Sequence, residues 1–237
     1  QKIELERCNP VYLDSNWKIY ADLSNEYENF TANYLKNKIF ESSTGIINLE
    51  INNISGPLSQ KRIIIGNPNT NSTIRSLAES KGINVSNELT KGFNQGYILL
   101  IEPDQILILG NSTAGTFYGV VSLSWLLSYQ ANQIILPNVK ITDWPDLEIR
   151  GFYGGSENQL FYDSYSKKYF GPYYSTQEEW VDYLTKFKYN LWTSGPLSEF
   201  TKQRHFFLST SMSPLSIRSY YNKNLYEGVF AYNIPLK

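Results

Sequence analysis

Two apolar runs separated by three residues constrain the fold of this chain more than any other feature of the sequence. Residues 97–101 (YILLI) and 105–109 (QILIL) each have the length and composition of a β-strand, and residues 102–104 (EPD) between them are typical of a turn. A helix is predicted directly afterwards, over residues 113–130. Its first turns contain the small residues Ala114, Gly115 and Gly119, which allow a close approach to a sheet. The block therefore predicts a β-hairpin followed by a helix that packs on a sheet.

The remaining sequence predicts the same mixture of helices and strands, divided into two domains. In the first domain, strands are predicted at 17–21, 46–51, 61–66 and 134–141, and helices at 26–41 and 72–81. Residues 143–146 (DWPD) are typical of a joint between domains, because a residue before proline disfavours a helix and aspartate favours turns. Beyond the joint, a strand is predicted at 147–153, a helix at 176–188, a strand at 189–193 and a further candidate strand at 205–210. The predicted fold class is α/β: a sheet-and-helix domain over residues 1–142, then an incomplete (β/α)8-type barrel portion over residues 143–237.

Composition excludes several classes of function. The chain has 237 residues, 41% hydrophobic and 18% charged, with a formal net charge of −1. This charge and the lack of any Lys/Arg-rich run argue against a nucleic-acid partner. One His and one Cys (Cys8) exclude a zinc finger and an intrachain disulfide framework, so we predict no metal and no cofactor. No apolar run approaches the roughly 20 residues of a membrane-spanning helix. The chain begins at Gln1 without a leader segment, so we expect a processed protein or a fragment.

Five N-x-S/T sequons lie before residue 112, and none follows it. A chain this rich in Asn, Ser and Thr contains several sequons by chance, so unused sequons are one interpretation. The other is a secreted or cell-surface protein that carries N-linked glycans on its first domain. We predict an extracellular or cell-surface location, with the candidate glycosylation sites Asn29, Asn53, Asn71, Asn84 and Asn111.

Two stretches of sequence resemble a known family. The segment 96–130 has the spacing G-x-x-x-x-G-x-F-Y-G-x-x-x-L, and the segment 135–155 has I-x-D-x-P-x-x-x-x-R-G-F. These patterns resemble the N-terminal domain and the start of the barrel in retaining β-N-acetylhexosaminidases, glycoside hydrolase families 20 and 84. The later segment YLTKFKYNLWT resembles the end of the first barrel helix and the second barrel strand. The matching positions are Gly110, Gly115, Phe117, Tyr118, Gly119, Leu123, Asp143, Pro145, Arg150, Gly151 and Phe152.

The resemblance implies an α/β accessory domain followed by a (β/α)8 barrel, and hydrolysis of terminal N-acetylhexosamine with retention. In such enzymes the acetamido oxygen of the substrate is the nucleophile, and two adjacent acids protonate the leaving group and orient the acetamide. After residue 150 this chain contains only one adjacent acid pair, Glu178-Glu179, at the start of a predicted helix, where acids complement the helix dipole. A complete barrel also needs about 250 residues. We therefore expect either a piece of a longer enzyme or a protein without the catalytic machinery.

Four residues near the start of the predicted barrel are candidates for sugar binding. The resemblance implies that Arg150 and the adjoining Gly151 lie where a sugar binds, and an ion pair with a nearby acid is the alternative for Arg150. Tyr153 and Trp192 are candidates to stack on a sugar ring, although ordinary packing is the more common role of an aromatic residue in a chain this rich in them. The catalytic residues stay unassigned. The predicted partner is a carbohydrate. The alternatives to a glycosidase function are a non-catalytic surface or filament-associated glycoprotein and a carbohydrate-binding module.

Overall fold

A computed structural model of the chain describes residues 2–5, 9–152, 162–163, 168–169, 176–192 and 199–206. The chain forms two compact units, residues 1–146 and residues 147–237. Each unit is described by itself below. The elements of the first unit are β1 (Lys2–Leu5), β2 (Val11–Leu13), β3 (Lys18–Ala21), α1 (Glu26–Ser42), β4 (Glu50–Asn53), β5 (Arg62–Gly66), α2 (Ser72–Ser80), α3 (Val85–Glu88), β6 (Tyr97–Glu102), β7 (Gln105–Gly110), α4 (Thr113–Leu126), β8 (Ser128–Gln130), β9 (Gln133–Leu136) and β10 (Val139–Asp143).

A seven-stranded mixed sheet organises the first unit, in the order β1-β10-β6-β7-β5-β3-β4. Strands β4, β3, β5 and β7 are parallel to one another, whereas β1, β10, β6 and β7 pair antiparallel. The predicted hairpin is confirmed as β6 and β7, with Ile101 opposite Ile106. A separate three-stranded sheet contains β2, β9 and β8. The predicted α/β fold class is therefore confirmed.

Both faces of the large sheet are covered, which explains why its strands read as continuous apolar runs. Alternate residues of β5 point to opposite faces: Ile63 and Ile65 belong to the core under α1 and α4, and Ile64 belongs to the core under α2 and α3. The predicted close approach of α4 to the sheet is confirmed at Gly119, where a Cβ would lie 2.6 Å from Cγ2 of Ile108.

The helices begin at polar caps that the sequence contains in the right places. The side chain of Asn25 accepts hydrogen bonds from two backbone N–H groups of α1, and Asn71 and Ser112 cap α2 and α4 in the same way. The predicted helices over 26–41 and 72–81 are confirmed. The predicted helix over 113–130 is too long, because it ends at Leu126 and residues 128–130 form β8. Ala131 and Asn132 both adopt left-handed φ angles (49° and 64°) and turn β8 back into β9.

Two other strand predictions need correction. The segment 46–51 was expected to be a strand, but the hydrogen-bonded strand β4 starts only at Glu50. Ile47 and Leu49 are buried while Ile46 is exposed. The alternating apolar residues therefore pack in the core before the hydrogen-bonded pairing with β3 begins. The extended segment 134–141 divides into β9 and β10 on either side of Pro137-Asn138, and the two strands belong to different sheets.

The second unit contains a parallel pair of strands joined through a helix. Its described elements are β11 (Gly151–Phe152), β12 (Tyr162–Asp163), β13 (Lys168–Tyr169), α5 (Gln177–Lys186), β14 (Leu191–Trp192) and α6 (Glu199–Gln203). Strand β11 pairs parallel with β14, as predicted for a β-α-β unit, and Trp180 and Leu184 of α5 are buried in a small core that includes Phe206. The predicted strand 147–153 is shorter than expected. His205 and Phe206 follow a turn after α6 and are not in a strand, and 207–210 lie outside the described residues.

Candidate functional site

The carboxyl ends of the parallel strands β3, β5 and β7 meet at one edge of the large sheet, the place where open α/β sheets commonly bind ligands. Glu28, in the first turns of α1, lies against this edge and is only 3% exposed. Its Oε2 accepts a hydrogen bond from the backbone N–H of Asp22 (3.3 Å), and its Oε1 accepts one from the backbone N–H of Asn67 (3.3 Å). One carboxyl group therefore joins the residues that follow β3 and β5.

Burial raises the pKa of Glu28 from 4.5 to about 6, against the two backbone hydrogen bonds, which favour the charged form. The nearby charge of Asp22 acts in the same direction as burial. Nothing in the sequence marks Glu28 as buried, since it lies in a polar helix turn. Its burial depends on the end of the nearby strand β3 and on the end of β5, which is distant in sequence.

The rest of this edge is filled by hydrogen bonds between its own loops. The side-chain amide of Asn67 donates to the carbonyl of Asn111 (3.2 Å), and the amide of Asn111 donates to the carbonyl of Lys91 (3.2 Å). Oδ1 of Asn111 is buried. The polar groups at this edge therefore connect loops of the sheet, and burial raises the pKa of one of them, Glu28, to about 6.

Arg150 is the predicted sugar-binding residue that the structure describes most fully. It lies immediately before β11, at the amino end of that strand, whereas the sequence predicts it inside a strand over residues 147–153. Its Nε donates to the carbonyl of Lys188 (2.9 Å), and its Nη1 donates to the carbonyl of Leu147 (2.7 Å). These hydrogen bonds fix the guanidinium group against backbone carbonyls of the second unit. Contact of Arg150 with a sugar stays a prediction.

Asn190, just before β14, is the residue that joins the beginnings of β11 and β14. It is 1% exposed; its Oδ1 accepts from the backbone N–H of Arg150 (2.7 Å), and its Nδ2 donates to the carbonyl of Glu148 (2.8 Å). The backbone N–H of Asn190 also donates to the carbonyl of Arg150 (2.8 Å). Sequence reasoning did not select Asn190, although the K-x-N pattern of residues 188–190 is the signal that contains it.

The other predicted sugar-binding residues are Gly151, Tyr153 and Trp192. Gly151 packs closely on β14, because a Cβ there would lie 2.9 Å from Cβ of Leu191. The backbone of Trp192 pairs with Phe152, and Tyr153 lies outside the described residues. Glu178 and Glu179 are exposed in the first turn of α5, beside the Thr176 cap, as expected for acids at a helix N-terminus.

Asp143, from the pattern that carries the resemblance, has a packing role in the first unit. The phenol of Tyr97 donates to Oδ2 of Asp143 (2.8 Å) and lies 2.6 Å from Oγ of Ser122. Burial, followed by the charge of Asp143, raises the pKa of Tyr97 well above its usual range. This contact joins β6, β10 and α4.

The five sequons differ in exposure. Asn29, Asn53 and Asn84 are exposed, Asn71 is half-buried as the cap of α2, and Asn111 uses its amide in the bond to Lys91. Within the described ranges, no three His, Cys, Asp or Glu side chains lie together as a metal site. No helix in this described part has the length and apolar character needed to cross a membrane.

The sequence profile of glycosyl hydrolase family 20, domain 2, matches residues 22–144, just over half of the chain. The chain therefore belongs to this family, and the matched residues form the bulk of the first unit. No curated protein matches the chain.

Solved structures agree with this assignment at the level of fold. CpGH84B is 21% identical with a TM-score of 0.58, and the alignment covers 87% of this chain and 34% of that one. The family 20 β-N-acetylhexosaminidase of Streptomyces coelicolor A3(2) is 16% identical with a TM-score of 0.54, over 81% of this chain and 32% of that one. The family 20 exo β-N-acetylglucosaminidase of Vibrio harveyi, solved with N-acetylglucosamine, is 18% identical with a TM-score of 0.50, over 81% and 24%. The chain thus spans about a third or less of the length of these proteins.

Proposed function

We propose that this chain is the accessory domain and the first β-α-β unit of a β-N-acetylhexosaminidase-type glycoside hydrolase. The observation that carries the proposal is the order of the two units: residues that match domain 2 of family 20 lead directly into β11, α5 and the parallel strand β14. Parallel strands joined by a helix are the repeating element of a (β/α)8 barrel. On this proposal the barrel continues beyond β14.

The proposed reaction is removal of a terminal N-acetylhexosamine with retention of configuration. The acetamido oxygen of the substrate attacks the anomeric carbon, one acid protonates the leaving oxygen, and a neighbouring carboxylate orients the acetamide. We assign neither acid to this chain. Glu178 and Glu179 are explained by their place in the first turn of α5. The adjacent acids are expected on a later strand of the barrel.

Within this chain the proposed contribution is positioning. Asn190 and Arg150 hold the beginnings of β11 and β14 together, so the carboxyl ends of both strands reach the same side of the sheet. In barrels of this type the active site lies at the carboxyl ends of the strands. Residues that follow Phe152 and Trp192 are therefore the proposed sugar contacts, and Tyr153 is the first of them.

We further propose that the protein is secreted or displayed at the cell surface. Three of the five sequons present exposed asparagines, which supports the use of at least Asn29, Asn53 and Asn84 as glycan sites. Intact mass of the native protein before and after deglycosylation tests this. A mass that does not change contradicts the proposal.

The catalytic proposal is tested with two substrates that differ in one group. The native protein, purified from its source, is assayed on 4-nitrophenyl N-acetyl-β-glucosaminide and on 4-nitrophenyl β-glucoside, which has a hydroxyl in place of the acetamide. Because the nucleophile belongs to the substrate, we expect the first to react about 10³-fold faster or more. Equal rates on both substrates, or hydrolysis of neither, would overturn the proposal.

A further inference from the structure

A polar cavity of about 370 Å³ lies at the opposite edge of the large sheet from Glu28. It is lined by Gln60, Arg62, Lys81, Glu102, Pro103, Asp104, Gln105 and Asn138. Arg62 and Gln105 are the first residues of the parallel strands β5 and β7, so the cavity lies at the amino ends of these strands. Its size is within the range of small-molecule sites, roughly 300 to 1,000 Å³.

The strand register explains why polar side chains gather here. Arg62 pairs with Gln105, and Gln105 pairs with Glu102 on the next strand. Asn138 directly precedes Val139, which pairs with Ile101, so Asn138 continues the same row at the start of a fourth strand, β10. These four polar residues therefore form one row across four neighbouring strands, at the end of the core beneath α2 and α3.

Two of these side chains are buried with an unused hydrogen-bonding atom. Gln105 is 4% exposed and Asn138 is 5% exposed. Nε2 of Gln105 and Oδ1 of Asn138 are both buried and have no hydrogen-bond partner among the described residues. Buried polar atoms are nearly always paired, because an unsatisfied one costs about as much as the lost hydrogen bond or more. The residues that line the cavity therefore include one unpaired donor and one unpaired acceptor, both buried behind its surface.

Three of the charged residues of the cavity have partners within it or beside it. Nε of Arg62 donates to Oε1 of Gln105 (2.7 Å), and its Nη1 donates to the carbonyl of Ser59 (3.0 Å). Lys81 forms an ion pair with Glu102 (2.6 Å). Two cations, Arg62 and Lys81, thus face two acids, Glu102 and Asp104. A balanced lining gives no net attraction for an anion or a cation and favours a neutral ligand.

We propose that this cavity is a binding site for a neutral saccharide residue. A sugar hydroxyl both donates and accepts, and an acetamido group has a carbonyl acceptor beside an N–H donor. Either group complements the unpaired Nε2 of Gln105 and Oδ1 of Asn138. The terminal amide torsions of both side chains are soft, so both atoms can turn towards a ligand. The ring of Pro103 gives the cavity an apolar wall for the C–H face of a sugar.

The proposal is tested by titrating the ¹⁵N-labelled chain with N-acetylglucosamine, with glucose and with sulfate. We expect saturable shifts of the side-chain amide signals of Gln105 and Asn138 with at least one sugar, at millimolar affinity, and weaker or no shifts with sulfate. A response to glucose as strong as that to N-acetylglucosamine assigns binding to hydroxyls, and a preference for the latter assigns it to the acetamide. No sugar-dependent shift, or a stronger response to sulfate, overturns the proposal.

A pair of matched variants locates the site. Gln105→Glu keeps the oxygen that accepts from Arg62 but replaces the unpaired donor with an acceptor, so it should weaken sugar binding by about tenfold or more. Gln130→Glu makes the same chemical change at an exposed position of β8 and should leave the affinity unchanged. The remaining amide signals report whether each variant is folded. Unaltered affinity in folded Gln105→Glu would refute the site. The inference does not rest on the proposed hydrolysis, because the titration needs no catalysis.

Discussion

Glu28 gives the sharpest prediction about the energetics of the first unit. Burial raises its pKa from 4.5 to about 6, so the folded protein holds the carboxyl proton over a pH range in which the unfolded chain has released it. Its contribution to stability is complete below about pH 4.5 and is lost as pH rises through 6. A difference of about 1.5 pH units corresponds to a loss of about 2 kcal/mol in the free energy of unfolding.

The perturbation that isolates this effect is Glu28→Gln, which replaces the titrating carboxyl with a neutral group of nearly the same shape. Urea unfolding of both proteins is followed at several pH values between 4 and 7.5. Relative to wild type, the free energy of unfolding of the variant should increase by about 2 kcal/mol across this range. This increase does not depend on the offset, which is the difference in stability between the two proteins at pH 4.5. That offset reflects the amide N–H₂, which must face a backbone N–H of Asp22 or Asn67.

The control is Glu26→Gln, an exposed carboxyl in the same first turn of α1. It should retain the wild-type dependence on pH. If the stability difference between Glu28→Gln and wild type stays constant from pH 4.5 to 7.5, Glu28 does not titrate as a buried group. Burial would then not raise the pKa of this carboxyl.

Two further predictions concern the second unit and the sequons. Asn190→Ala should lower the stability of the second unit by about 2 to 4 kcal/mol, because it removes the buried side-chain hydrogen bonds to the N–H of Arg150 and the carbonyl of Glu148. Amide exchange at Leu191 measures this, and unchanged protection would contradict it. In glycopeptide mapping of the protein made in a eukaryotic secretory host, Asn53 should be occupied and Asn111 should be largely unmodified, since the Asn111 amide is bound to Lys91. Equal occupancy of the two sequons would refute that interpretation.

The sequence predicted the centre of the large sheet well because its signals there are local and strong. Residues 98–101 and 106–109 of β6 and β7 are all apolar, and the two-residue turn Pro103-Asp104 between the strands fixes their pairing. The hairpin of β8 and β9 was missed because its turn, Ala131-Asn132, contains no glycine, although both residues adopt left-handed φ angles. The predicted start of strand β4 is too early because Ile47 and Leu49 are buried before the hydrogen-bonded ladder begins.

The polar sites were harder to predict than the fold. Glu28 and Gln105 have ordinary sequence surroundings, and each becomes unusual only when strands far apart in sequence are brought beside it. The family pattern did locate Arg150 and the neighbourhood of Asn190. It did not reveal that their hydrogen bonds join the beginnings of two parallel strands.

The proposed use of the substrate's own acetamide as the nucleophile is tested most directly by changing the acetamide itself. Initial rates are measured for the native protein on 4-methylumbelliferyl glucosaminides that carry acetyl, monofluoroacetyl, difluoroacetyl and trifluoroacetyl groups. Each fluorine withdraws electrons from the carbonyl oxygen, so we expect a steep fall in kcat/KM along the series. Rates that are independent of fluorine content would show that the acetamide oxygen is not the nucleophile and would contradict the assignment of hexosaminidase chemistry to this protein.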